Sequence, residues 1–272
     1  MRRAAGIGWP LPERSVSISE AADIACPDRH LADSPGSLTP SVLGHLGVIR
    51  MLPSEVLRLL AKRNSDVGDR RTQVVARLHA LLVDLDPGGI ATELNASVVD
   101  AFVTRVMPEG PVAELRYDLA VELLGEIRTL DAQLKASHKR IRTAVAVSET
   151  TVTELFGVGP VIAAMLIGYT GDIGRFRNRD HYAAYNGTAP VEFSSAGRTV
   201  HRVSQRGNRQ LNHAIHMAAI SQLRHPGSAG RVYVDRRVAE GTTKREAIRA
   251  LKRHLSNAVY RQLVADTHRV TD

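Results

Sequence analysis

The chain has a single cysteine, Cys26, in 272 residues. That excludes an internal disulfide and any zinc site built from several cysteines. It also has no apolar run near the roughly 18 to 20 residues that a membrane-spanning helix needs. Residues 1–10 hold two arginines but no apolar core of signal-peptide length, so no secretion signal is expected. Together these absences predict a cytoplasmic protein with no membrane partner. The length allows one to three domains around a sizeable core.

Lysine is scarce in residues 151–272, where Lys244 and Lys252 are the only two. Residues 151–272 nevertheless carry 18 Lys+Arg against 9 Asp+Glu, whereas residues 1–150 carry 18 against 19. The excess is therefore almost entirely arginine, whose planar fork suits bidentate phosphate contacts. A basic half beside a neutral half predicts a nucleic-acid footprint confined to the C-terminal part.

Sustained periodicity is missing from residues 1–50, where Pro10, Pro12, Pro27, Pro35 and Pro40 interrupt the chain and an irregular leader is expected. From Pro53 the pattern turns helical. Val56, Leu59, Leu60, Val67, Val74, Leu78, Leu81 and Leu82 recur at three- and four-residue steps until Asp86-Pro87-Gly88-Gly89 ends the run. A shorter helix is expected over 96–106, and a long amphipathic one over 112–148. In the latter Leu119, Leu123, Ile127, Leu130, Leu134 and Ile141 keep steps of four, three and seven, close to a heptad repeat. At about 1.5 Å per residue it would be about 50 Å long. A coiled-coil spacer or dimerisation arm, and hence a homo-oligomer, is the preferred reading over an ordinary helix packed on one core. The expected fold class is mainly α: leader 1–50, helical linker and coiled-coil-like arm 51–150, and a helical C-terminal domain 151–272.

The C-terminal part begins with a helix end, a Gly157-Val158-Gly159 turn and a second helix, the helix-hairpin-helix pattern. Its glycines let a backbone approach a DNA phosphate and point amides at it. As a dinucleotide fingerprint the turn fails, because no strand run precedes it and the third glycine is missing. Arg175-Phe176-Arg177 and the Tyr182/Tyr185 pair then alternate basic and aromatic residues. That suits backbone contact with base stacking, although two tyrosines three apart could equally face the core.

Ser194 and Ser195 follow on a short Ala196-Gly197 turn, with Arg198, Arg202, Arg206 and Arg209 in the next fifteen residues. A hydroxyl that attacks phosphorus needs such a tight turn and cations to neutralise the phosphate. Helices are expected at 209–223, 229–240 and 243–264. His213 and His216 lie one turn apart but lack a third metal ligand nearby. Arg236, Arg237, Arg245, Arg249, Lys252 and Arg253 read first as a solvated face and second as phosphate contacts.

The ordered run Leu155-Phe156-Gly157-Val158-Gly159-Pro160, Arg175-Phe176, Asn186-Gly187-Thr188-Ala189-Pro190, Ser194-Ser195 and Arg206-Gly207-Asn208-Arg209-Gln210-Leu211-Asn212 resembles a family of bacterial insertion-sequence transposases. These enzymes join an Asp-Glu-Asp-Asp domain through a coiled coil to a serine-bearing domain, and the resemblance covers about three-quarters of the chain. It implies a DNA transposase or recombinase of the RNA-guided bridge type, with DNA and a structured guide RNA as partners and Mg2+ as the metal of the complete enzyme. Ser194 or Ser195 is then the nucleophile that holds a phosphodiester as phosphoserine. Gly157, Gly159, Arg175, Arg177, Arg198, Arg202, Arg206, Asn208 and Arg209 are the implied nucleic-acid contacts.

The sequence departs from that pattern in two places. Ala196 stands where the family has glycine, and no metal-binding acid can be assigned. Asp23, Asp28 and Asp33 lack Asp-x-x-Asp spacing, while Asp66 and Asp69 have it inside the first helix. The expectation is a truncated or rearranged transposase. The alternative is a catalytically inactive, nucleic-acid-binding and dimerising remnant.

Overall fold

The computed structural model describes residues 53–88, 94–195, 198–203 and 207–271, giving the backbone alone for 191–195, 198–203, 270 and 271. The expected leader 1–50 lies outside these residues, as do Ala196, Gly197 and Arg206. Among the described residues the fold is mainly α, with eight α-helices and one two-stranded antiparallel ribbon.

Helices α1 (Pro53–Leu85), α2 (Ala96–Arg105) and α3 (Pro111–Val147) form the arm. Helix α1 runs antiparallel to α3, and the pairs that meet across them show it: Arg63 donates to Gln133, Arg70 to Glu126, and Arg116 faces Asp84. Val67, Val74, Leu78 and Leu82 of α1 are buried with Val99 and Phe102 of α2 and with Ala120, Leu124, Ile127 and Leu130 of α3. Most of the heptad line expected to seek a second chain is covered by α1 of its own chain: Ile127, Leu130 and Ile141 are buried, Leu123 and Leu134 partly so, and Leu119 stays exposed. Helix α2 closes the far end, started by the Asn95 side chain, which accepts from the Val98 amide at 2.9 Å.

The C-terminal domain comprises α4 (Pro160–Thr170), α5 (Arg179–Tyr185), strands β1 (Pro190–Ser195) and β2 (Arg198–Val203), α6 (Arg209–Arg224), α7 (Ala229–Ala239) and α8 (Lys244–Thr271). Polar side chains start its helices. Asn178 opens α5, Asn208 opens α6 and Ser228 opens α7. Before α8, Thr243 and Glu246 hydrogen-bond reciprocally in a capping box.

The domain core also takes Leu57 and Ala61 from the base of α1 and Ile141 and Val145 from the end of α3. Near the end of α8, Asp266 accepts from the Thr150 hydroxyl at 2.7 Å and from the Thr151 amide at 3.0 Å. No helix among the described residues is long and apolar enough to cross a membrane.

A serine hairpin on an arginine-rich helical surface

Strands β1 and β2 pair from Pro190 with Val203 to Ser194 with Thr199 and Ser195 with Arg198. The serines were expected on the turn itself; they occupy instead the last two ladder positions of β1, where backbone pairing holds them. The strand signal was weak because Val191 and Phe193 alternate with polar residues for only two positions, and Val200 and Val203 stand three apart.

The feet of this hairpin are pinned. Buried Asn186 donates through Nδ2 to Ser256 Oγ of α8 at 2.8 Å, and its Oδ1 accepts from the Thr188 amide and hydroxyl at 3.1 and 2.7 Å. Asn212 of α6 donates to the Asn186 carbonyl at 2.9 Å. On the outgoing side, the Asn208 amide donates to the Tyr185 carbonyl at 2.7 Å. Between them Gly207 crosses Gly187 so closely that a Cβ on Gly207 would stand 2.6 Å from Gly187 Cα. Any side chain there would force the two feet apart.

Arg175 and Asn208, two of the implied contacts, meet around Tyr185. The Arg175 guanidinium lies 4.4 Å from the ring centroids of both Phe176 and Tyr185, and Asn208 Nδ2 donates to the Tyr185 hydroxyl at 3.2 Å. Burial pushes the Tyr185 phenol up, but the hydrogen bonds from Arg175 and Asn208 outweigh it and its pKa lies below the ordinary value. The tyrosine pair therefore divides. Tyr182 is core, hydrogen-bonded to Thr170 at 3.1 Å and pushed up to about 12 by burial, while Tyr185 is half-buried beneath an exposed arginine. Arg177 and Arg209 are exposed; Arg198 and Arg202 occupy β2, for which only the backbone is described.

The Gly-x-Gly turn sits elsewhere. The first helix of the expected pair is reduced to a 3-10 turn, Val152–Glu154, before α4. Gly157 has φ +87°, and a Cβ on it would meet the Ala218 carbonyl of α6 at 2.7 Å. Gln222 holds the same turn, donating to the Phe156 carbonyl at 2.7 Å. Gly157 is thus built against α6. The exposed part of the turn is Gly159 at the start of α4, where the Val161 and Ile162 amides precede the first intrahelical bond. Since Gly157 meets α6 at 218–222 and the hairpin feet meet it at 208–212, the two are about 15 Å of helix apart.

An open pocket of about 930 Å³ lies beside the incoming foot, lined by Gly187–Pro190, α6, α7, the 241–242 bend and α8. Its cations are Arg237, Arg245, Arg249, Lys252 and Arg253, with His216 alongside. Burial, then Arg249, lowers the Lys252 pKa; burial, then Lys252 and His213, lowers that of His216. A site so crowded with positive charge disfavours a metal cation. Among the described residues no group of three or more His, Cys, Asp or Glu stands close enough to hold one. Of the Asp-x-x-Asp pair on α1, Asp66 is engaged by Lys62 at 3.2 Å.

The known proteins to which the chain is similar are insertion-element proteins and transposases. Residues 149–235 match the model of the Transposase IS116/IS110/IS902 family. The chain is similar to the "Insertion element IS116 uncharacterized 44.8 kDa protein" of Streptomyces clavuligerus, 29% identical over 64% of this chain and 44% of that protein. It is also similar to the "Insertion element IS110 uncharacterized 43.6 kDa protein" of Streptomyces coelicolor, 33% identical over 50% of this chain and 32% of that one. To the "Insertion element IS900 uncharacterized 42 kDa protein" of Mycobacterium paratuberculosis it is 28% identical, over 84% of this chain and 51% of that protein. The chain spans about a third to a half of the length of these relatives.

Proposed function

We propose that this chain acts as a DNA transposase or site-specific recombinase of an insertion element, binding DNA through its arginine-rich domain and attacking a phosphodiester with Ser194 or Ser195. The observation that supports it most is the hairpin: both serines end a strand whose feet are fixed to α6 and α8. A nucleophile held in one place meets phosphorus without a search, which is where most of the gain from positioning comes from. In the step itself the serine Oγ bonds to phosphorus as the bond to one deoxyribose oxygen breaks; the serine proton passes to that departing oxygen, which leaves as a free hydroxyl, and the other strand end is kept as a phosphoserine for later rejoining. Arg175, Arg177, Arg198, Arg202, Arg206, Asn208 and Arg209, with the Gly157–Gly159 turn, supply the phosphate contacts of this reading.

Mg2+ belongs to the same reading for the complete enzyme. The described residues of this chain offer it no ligand group, so no step is drawn through it. A structured guide RNA is the second polymer of the reading. Self-association through the arm is the third element, resting on Val112, Leu115 and Leu119, which are 63%, 60% and 40% exposed along one face of α3.

Purified protein, labelled element-end DNA and magnesium test the chemistry. Neighbouring strand positions face opposite ways, so one of Ser194→Ala and Ser195→Ala should abolish the covalent adduct while the other retains it, and both should still bind. Cleavage that survives the double variant sinks the serine assignment. Binding without cleavage in the unaltered protein leaves a nucleic-acid-binding module instead. No mobility shift with DNA or RNA at low salt, where phosphate contacts are strongest, removes the nucleic-acid reading altogether.

A further inference from the structure

We propose that the pocket between the 187–190 segment, α7 and the start of α8 is a seat for successive backbone phosphates of a nucleic-acid strand, held by Arg237, Arg245, Arg249, Lys252 and Arg253. The inference rests on the nucleic-acid reading above and adds to it a location outside the contacts that the family resemblance implies, on residues whose first reading was a solvated face. All five cations also lie beyond the segment 149–235 that matches the family model.

Charge is the first argument. Five cations face one carboxylate, Glu246, which already accepts from the Thr243 amide at 3.1 Å and hydroxyl at 2.6 Å. Unmet donors are the second. Nη1 of Arg253 and Nε of Arg237 are shut away from solvent without an acceptor, although both side chains line the pocket. Each guanidinium is fixed through another nitrogen, Arg237 to Glu240 at 2.9 Å and Arg253 to Asp180. An ionised donor left without an acceptor is a standing penalty; those two atoms are closed to a phosphate as they are to water, so an anion would meet the same guanidiniums through their remaining nitrogens. Lys252 is held at the wall by Asn212, its Nζ donating to Oδ1 at 2.6 Å.

Shape separates a polymer from a free anion. Residues 245, 249, 252 and 253 follow one face of α8 at helical spacing, a strip about 12 Å long. Four phosphates of one strand, three steps of about 3.4 Å of helix axis, occupy a similar length. The volume of about 930 Å³ far exceeds one phosphate, and Ala189, Pro190 and Ile248 add an apolar wall suited to sugar. Pro190 both lines the pocket and begins β1, so a strand seated here lies at the foot of the serine hairpin.

The test uses Arg245→Gln with Arg249→Gln, both exposed, in the full chain, with a thermal melt to confirm folding. Binding to a DNA duplex and to an RNA hairpin is measured from 50 to 200 mM salt. Each lost phosphate contact should lower the slope of log K against log salt by about 0.9 on duplex DNA and about 0.7 on a single strand. The double variant should therefore lose nearly two such increments and bind at least tenfold more weakly at low salt. A change confined to DNA or to RNA supports the seat and identifies the strand. Unchanged slopes on both polymers, with the unaltered protein still binding, overturn the seat and leave the nucleic-acid reading intact. If inorganic phosphate raises the melting temperature of the unaltered protein alone while polymer slopes stay the same, the pocket takes a free anion and the proposal fails. No binding of either polymer by the unaltered protein removes both readings.

Discussion

In the arm, arginines reach across to carboxylates on neighbouring helices: Arg70 to Glu126 at 2.7 Å, Arg116 to Asp84 at 3.3 Å, Arg105 to Asp86 at 3.1 Å, and Arg128 to Asp100. In the C-terminal domain they gather. Arg237, Arg245, Arg249 and Arg253 line one pocket with Lys252 and a single glutamate, and Arg175 lies against two rings. The same residue type therefore does two kinds of work. Matched one to one with acids it fixes the pairing of α1 with α3, and its field cancels within a few ångströms. Assembled in excess over acids it raises a local positive potential that costs stability and attracts anions.

The contrast can be broken most severely through the arm's core. Ile127→Ala removes a side chain 2% exposed between α1 and α3 and should cost about 2–5 kcal/mol, read as a lower denaturant midpoint. The salt slope of nucleic-acid binding should not move.

Gly157→Ala tests the joint between the α4 turn and α6. With φ +87° and a carbonyl oxygen 2.7 Å from the new methyl, overpacking of about 1–3 kcal/mol is expected. Thermal unfolding measures it; an unchanged melt would show that α6 yields freely there.

Arg70→Gln, whose side chain is 67% exposed, should shift stability by less than about 1 kcal/mol. It should also leave the salt slope alone, in contrast to the pocket pair. Equal slope changes from the arm and pocket variants would erase the distinction drawn here.

Helix positions were legible because they rest on local chemistry. Pro53, Pro111 and Pro160 begin helices at their first residue, asparagine and serine caps start others, and the apolar period fixes the buried face of α1. The partner of that face was not legible. A heptad line on α3 states that something must cover it, not whether the cover is a second chain or residues 60–80 of the same one.

The tyrosines illustrate the same limit. Spacing alone left Tyr182 and Tyr185 equivalent, whereas Thr170 and Arg175, from other elements, send one into the core and the other to the surface. Arg245, Arg249, Lys252 and Arg253 read as one solvated helix face. They became part of a pocket only when 187–190, α6 and α7, up to 66 positions away in the chain, came up beside them. The closeness of Gly207 to Gly187 belongs to the same class, since neither glycine announces the other.

Helices α1 and α3 each contribute to both hydrophobic cores without a break. Leu57 and Ala61 belong to the domain while Leu78 and Leu82 belong to the arm, on one continuous α-helix, and Ile141 and Ile127 stand in the same relation on the other. A pair of uninterrupted helices is a ruler: it fixes how far the arm's end lies from the serine hairpin and in which direction. Inserting four residues into both helices between the two cores would lengthen that ruler by about 6 Å and rotate its far end by about 40°. Spacing between whatever the two ends hold is thus set by counting residues along α1 and α3.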